Sequence, residues 1–436
     1  MFIWRYFPAI YALPFLLATV QFSTIAAIAD VARWGVFVIA LLFAIQFRFR
    51  RMGRLKGRMT NFDAVAMLFL FVFAASSVWS IDSFYTIQKA VSAALLLFSS
   101  FWTFWLYADR YSEVKLLRTL MFPIVLLLAA NLSLSWFIAE PYFAGRFQGF
   151  FLNPNNIGVL SVVSAGIAYT LWLRQRRIAD LVALVIILVN LVLASSRSGL
   201  IVLVLIIGLS ALRGLARRPI HGLLGLVVIF GSVYVFSQTS FFQERILRED
   251  TLIDASNRVY FWALAKDYIA NRPFLGHGFG ADIIIHEHYG IVLRDIGLRG
   301  AGVMSSYYGL AVQLGVPFTL LFFVLIWGYT LNTLVRRMRD YWIFHYGAII
   351  AAGLFLGISE PLLFSAGNIF SFFYWIVFML MYRRLTYLRR GIAIWEYGEL
   401  RMALPRARPA GPSMTPMLRL HPSTPFEALS GDGRRR

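Results

Sequence analysis

Apolar runs of about 20 residues, each long enough to cross the roughly 30 Å hydrocarbon layer of a bilayer as a helix, recur from one end of this 436-residue chain to the other. Twelve are legible, near residues 7–28, 31–47, 62–80, 87–107, 119–139, 156–173, 179–195, 199–212, 220–237, 307–331, 342–359 and 363–382. Backbone N–H and C=O groups in lipid must be satisfied within the segment, so such runs are read as helices. The expected fold class is an all-α membrane protein with about twelve transmembrane helices. Composition agrees: only 14% of residues are charged, against about 25% in a soluble domain. The first run is too long for a signal h-region and a second follows at once, so it reads as a retained span. The absence of cysteine excludes disulfides, thiolate metal sites and cysteine nucleophiles.

A formal net charge of +20 suggests nucleic acid until its distribution is considered. "RFRRMGRLKGR" (48–58) belongs in the cytoplasm, which puts the N-terminus inside. Alternation then places "DRYSEVKLLR" (109–118), "RQRR" (174–177), "RGLARR" (213–218), "RRMR" (336–339) and "RRLTYLRR" (383–390) on that same side. The charge is therefore mostly a topology signal. No nucleic-acid partner is expected, although the basic rim suits membrane lipids with anionic head groups. The tail after Arg401, rich in Pro, Arg, Ser and Gly, reads as a disordered cytoplasmic extension, so both termini are expected inside.

One outer loop is long, residues 238–306, and nearly balanced in charge. Within it "SNRVYFWALAKDYIANRP" (256–273) reads as a helix capped by Ser256, stopped at Pro273, and lying along the membrane surface with Phe261, Leu264, Ala265 and Tyr268 on its apolar face. "GHGFGAD" (276–282) supplies glycines for an irregular turn and is a weak match to a phosphate loop.

The short outer loops carry little charge, so each basic residue there invites a reason. Arg146 in "GRFQGFFLNPNNIG" (145–158) precedes the sixth run, Arg197 in "ASSRSG" (194–199) sits between the seventh and eighth, and Arg258 begins the loop helix. Guanidinium offers paired donors that suit phosphate, and polar groups at this depth usually face a cavity or ligand. An arginine at a span end also simply snorkels to the interface, and for any one alone that suffices. The anion-site reading rests on having three. Arg258 and Trp262 lie one helical turn apart, so stacking is an alternative. Asn153 and Asn155 flank Pro154, where an N-cap and amide hydrogen bonds to sugar hydroxyls are both open. Glu360 in "GISEPLLFSAGN" (357–368) either pairs with a site arginine or ends a helix.

"GRFQGFFLNPNNIG", then "ASSRSGL", then "NRVYFWALAKDYIANRPFLGHGFG", then "SSYYGLAVQLGVPF" entering a span: this order, from about Gly145 to Glu360, resembles the O-antigen ligase and polymerase superfamily. The resemblance implies a multi-pass enzyme of the bacterial inner membrane acting on undecaprenyl-diphosphate-linked glycans. An acceptor glycan hydroxyl attacks C1 of the lipid-linked sugar with inversion, displacing the diphosphate, and no cofactor is implied. By position Arg146, Arg197 and Arg258 match the family's diphosphate-binding arginines, which suits leaving-group charge developing in the transition state. Residues 1–144 are then N-terminal spans, 145–382 the core with its periplasmic loop 238–306, and 383–436 a basic tail.

The chain departs from the family at one place. Many members carry a His-Asn pair just before the span after the large loop, the His being the candidate base; here Ser305 and Ser306 stand there. A serine hydroxyl without a basic partner is a poor proton acceptor. His286, His288, Glu287, Asp282 and His277 are nearby alternatives, with His286 and His288 the first candidates; a dissociative transition state needing little base help is another. "HEHYG" (286–290) also reads as an exposed polar loop, and no third ligand stands at metal-binding spacing, so no metal site is expected. The missing His favours a polymerase of exopolysaccharide or O-antigen repeat units, working with a flippase and a chain-length regulator, over a ligase transferring glycan to lipid A core or protein. A lipid-linked sugar transporter is the alternative of another class; buried acid–base pairs and an inverted repeat, which it requires, are not evident.

Overall fold

The apolar runs are largely helical in a computed structural model of the protein, which describes residues 2–49, 60–138, 140–143, 145–247, 258–283, 303–365 and 368–391. The first ten helices are α1 Phe2–Leu17, α2 Ser23–Phe49, α3 Asn61–Ala75, α4 Ser83–Phe98, α5 Phe104–Arg110, α6 Glu113–Leu134, α7 Pro154–Gln175, α8 Ile178–Leu193, α9 Arg197–Arg217 and α10 Pro219–Ser237. After them come α11 Arg258–Asn271, α12 Ser306–Leu314, α13 Val316–Arg336, α14 Tyr341–Leu356 and α15 Ile369–Arg389. A two-stranded antiparallel ribbon, β1 Tyr142–Phe143 and β2 Arg146–Phe147, precedes α7. Among the described residues eight helical segments are long and apolar enough to cross a membrane. Shorter apolar helices cover 178–193, 222–237 and 341–356.

Two runs differ from the sequence reading. The run placed at 7–28 breaks between Leu17 and Ser23, where Gln21 N–H donates to Phe150 O (2.8 Å) and Leu152 N–H to Thr19 O (2.9 Å). Hydropathy averages over such a break because Ala18 and Val20 keep the window apolar. The run at 307–331 is two helices divided at Gly315, whose φ of +80° suits glycine. A Cβ there would meet the carbonyl of Phe274. Val316 N–H donates to Pro273 O (2.8 Å), so the break also ties the loop helix to the bundle.

The centre is built from α7, α14 and α15, apolar nearly all round and buried nearly all round; 94% of the α15 window is buried, against 22% for α9. Helix ends carrying the basic clusters contact one another. Arg383 pairs with Asp109 (2.6 Å) and with Glu113, Arg384 with Glu113 (2.5 Å), and Arg118 with Asp180 (2.6 Å). Arg213 Nε donates to Met338 O (2.9 Å). The opposite ends of α7, α8, α9 and α14 gather a different set of residues.

Candidate functional site

Three arginines far apart in sequence meet at those opposite ends. The hairpin turn into β2 brings Arg146 to the start of α7, where Asn153 is the N-cap and Pro154 takes the first helical position. Arg146 Nε donates to Ala194 O (2.9 Å) and Nη2 to Asn155 Oδ1 (2.8 Å), which fixes the guanidinium between α7 and the α8–α9 corner. At that corner Ser195 has φ of +50° and Ser196 caps α9, so Arg197 opens the helix. Gly158 of α7 makes the approach feasible, since a Cβ there would collide with the Ser196 side chain.

Arg258 is the first residue of α11, and its Nη2 forms a short ion pair with Glu360 Oε1. Glu360 is 8% exposed; burial pushes its carboxyl above the usual range, opposed by Arg258 and more weakly by Arg146. The segment carrying Glu360 is pinned by Ser306, whose Oγ donates to Glu360 O (2.7 Å) and accepts from Leu362 N–H (3.0 Å) and Leu363 N–H (3.3 Å). Arg258 Nε is buried with no hydrogen-bond partner among the described residues.

Arg146, Arg197 and Arg258 together line one cavity of about 360 Å³, with Asn155, Ser196 and Ser198 as further polar groups. Ile201, Met304, Phe355 and Ile358 complete the wall, and Ile201, Phe355 and Ile358 are also exposed on the outer surface of the protein. A cationic cradle with an apolar rim matches a ligand that is anionic at one end and greasy at the other. Two more cavities adjoin. One of about 360 Å³ holds Asn155 and Glu360 with Arg33 and Lys89. The other, about 340 Å³, shares Lys89, Phe364, Ser365 and Asn368 with it and adds Tyr85, Asp282, Ser305 and Gln313.

The remaining candidates are placed differently. Asn153 Oδ1 accepts from Asn155 N–H (2.8 Å) as the α7 N-cap, is exposed, and does not line the arginine cavity. Ser305 caps α12, its Oγ accepting from Tyr307 and Tyr308 N–H (3.2 and 3.3 Å), and it belongs to the Asp282 cavity. His286, Glu287 and His288 lie outside the described residues, as do Ser256 and the tail after Gly391. Helix α11 is docked on α12: Phe261 and Ala265 are buried, and Trp262 donates to Met304 O (3.0 Å) while its ring lies 5.9 Å from Tyr308. The glycine turn is not a phosphate cradle, because its N–H groups are used internally. His277 donates to Val312 O, Gly278 to Gln313 O, Phe279 to Ser76 Oγ and Gly280 to Gln313 Oε1.

Sequence reading missed Lys89. It is the single charged residue of the run 87–107, and a lone ionisable group inside a span is itself a functional signal.

Residues 182–323, from early α8 to the first third of α13, match the family model described as O-antigen ligase. That segment holds Arg197, Arg258, Asp282 and Ser305, but not Arg146 or Glu360. No curated protein matches the chain.

Proposed function

From a chain of the O-antigen ligase and polymerase superfamily, a group of membrane glycan ligases and polymerases, we propose an inner-membrane polymerase that transfers undecaprenyl-diphosphate-linked repeat units to an acceptor glycan hydroxyl on the periplasmic face. The observation that carries this reading is the convergence of Arg146, Arg197 and Arg258 on one cavity with an apolar rim. The diphosphate sits among the guanidiniums and the polyprenyl chain leaves over Ile201, Phe355 and Ile358 toward lipid. A disubstituted diphosphate carries two negative charges. Three guanidiniums offset by the ion-paired Glu360 carboxylate present the opposite charge in equal measure. Charge balance of this kind keeps the desolvation cost of a buried anion tolerable.

As the bond from the anomeric carbon to the phosphate oxygen breaks, negative charge grows on the leaving diphosphate. Preorganised guanidiniums are worth more to that transition state than to the bound donor, which is the condition for acceleration. Arg146 is preorganised by Ala194 and Asn155, Arg258 by Glu360, and Glu360 by Ser306. Arg258→Ala is expected to abolish chain growth while the protein stays inserted and abundant. High-molecular-weight polysaccharide persisting unchanged in that variant sinks the reading.

The family description favours a second reading, transfer of finished glycan to a lipid A core or a protein. The donor site is the same in both. Supplying purified protein with lipid-linked donor alone separates them: a polymerase elongates, and a ligase leaves the donor at its original length.

A further inference from the structure

The Asp282 cavity has no part in holding the donor, yet it adjoins the donor site. Met304 lines the arginine cavity and its neighbours Ser305 and Ser306 line the other. We propose that this second cavity receives the acceptor glycan and that Asp282 is the base that takes the proton from its attacking hydroxyl. The proposal rests on the donor reading above.

The lining fits a sugar. Gln313, Asn368, Ser365 and Asp282 offer the amide, hydroxyl and carboxylate groups that hydrogen-bond sugar hydroxyls, and Tyr85 and Phe364 offer flat apolar faces. The cavity adjoins the donor side through shared walls: Lys89, Phe364, Ser365 and Asn368 also line the cavity that contains Asn155 and Glu360. Asn155 in turn lines the arginine cavity.

Asp282 is oriented by Gln313. Oδ1 accepts from Gln313 Nε2 (2.7 Å), which fixes the carboxylate plane. Oδ2 lies toward Gly309, where an added Cβ would stand 3.6 Å away, in ordinary van der Waals contact, and the carboxylate lines the cavity. Burial pushes the carboxyl up to about 6, while Lys89 opposes the shift. A base poised there is ionised at neutral pH and still accepts a proton readily. Among the described residues the charged and titratable groups facing it are Lys89 and Tyr85 of α4; Ser305, Gly309 and Gln313 on the α12 side are neutral.

The other described candidates are committed elsewhere. Ser305 Oγ caps α12. The His277 ring bonds Tyr268 O through Nε2 (2.9 Å), and burial lowers its pKa. Glu360 is paired with Arg258. The step balances without a further reagent. The acceptor oxygen bonds to the anomeric carbon, the bond from that carbon to the donor phosphate oxygen breaks with its electron pair, and the hydroxyl proton passes to Asp282 Oδ2 and later to water.

The test uses the full chain in lipid nanodiscs, lipid-linked repeat units as substrate, and farnesyl diphosphate as a head-group probe of donor binding. Asp282→Asn keeps the acceptor oxygen for Gln313 and removes the basicity. Turnover should fall about 10²–10⁴-fold with farnesyl diphosphate binding unchanged. In the wild type, turnover should rise as pH increases through about 6, where the carboxyl loses its proton. That limb should vanish in Asp282→Asn, move to higher pH in Lys89→Met, and survive at reduced rate in Asp282→Glu. Wild-type turnover by Asp282→Asn overturns the proposal, and so does a slow Asp282→Asn that keeps the wild-type pH limb. Failure of the donor reading shows separately, as unchanged farnesyl diphosphate binding in Arg258→Ala.

Discussion

Removing a single hydroxyl from Ser306 should loosen Arg258 without touching it. In Ser306→Ala the donated bond to Glu360 O (2.7 Å) is lost, and Leu362 and Leu363 N–H lose their acceptor at 3.0 and 3.3 Å. Three lost bonds at about 1 kcal/mol each set the upper scale. The backbone softens it: Glu360 O still accepts from Ser306 N–H (3.1 Å), and Leu362 N–H still donates to Glu360 O (3.0 Å). The orphan left behind is Leu363 N–H, in a buried residue. We therefore expect a cost of about 2 kcal/mol, concentrated in the segment that carries Glu360. Because Glu360 positions Arg258, turnover should fall roughly tenfold, the equivalent of about 1.4 kcal/mol of transition-state stabilisation. Asp340→Ala is the control. It removes an N-cap worth about 1 kcal/mol at the far end of α14, away from the Glu360 segment and the cavities, so it should lower stability more than turnover. Thermal inactivation in detergent and elongation of lipid-linked repeats measure the two effects. Wild-type turnover by Ser306→Ala, at any stability, refutes the idea that this hydroxyl holds the site.

Three further outcomes follow from other parts of the molecule. Glu113→Ala withdraws a carboxylate from between the buried guanidiniums of Arg383 and Arg384 and should cost about 3–5 kcal/mol, seen as loss of folded protein in detergent. Gly315→Ala forces a residue with a Cβ into φ of +80° against the Phe274 carbonyl; a penalty of at least about 1–3 kcal/mol should appear as a lowered inactivation temperature, and normal stability there contradicts the helix break. Asn153→Ala should cost about 1 kcal/mol of stability and leave donor binding intact, because its side chain caps α7; weakened donor binding at normal stability argues against the capping role.

Much of the helical architecture is legible in the sequence, because about 20 apolar residues in a row have few other solutions in lipid. What escapes is backbone detail that hydropathy averages away: the break at Thr19–Gln21 and the one at Gly315 sit inside apolar windows. Arg146, Arg197 and Arg258 are legible because charge is costly on sparsely charged loops, and the three reach one cavity as their shared depth suggests. The amides are harder. Asn153 and Asn155 look alike beside Pro154, yet the first caps the helix while the second bonds Arg146, a difference set by which way each points from the first turn. For Glu360 the sequence leaves pairing and helix termination both open; the structure gives it Arg258. Asp282 and Lys89 share a cavity although almost two hundred positions apart, a pairing that local sequence does not encode.

Binding of a lipid diphosphate by three guanidiniums is proposed here, and farnesyl diphosphate titrated into the purified protein in nanodiscs tests it directly. Hydrogen bonds to charged groups contribute about 1.5–3 kcal/mol each, so Arg146→Ala, Arg197→Ala and Arg258→Ala should each weaken binding by roughly 10–100-fold. Added salt should weaken the wild-type interaction. Binding of equal strength in the wild type and all three variants contradicts the account.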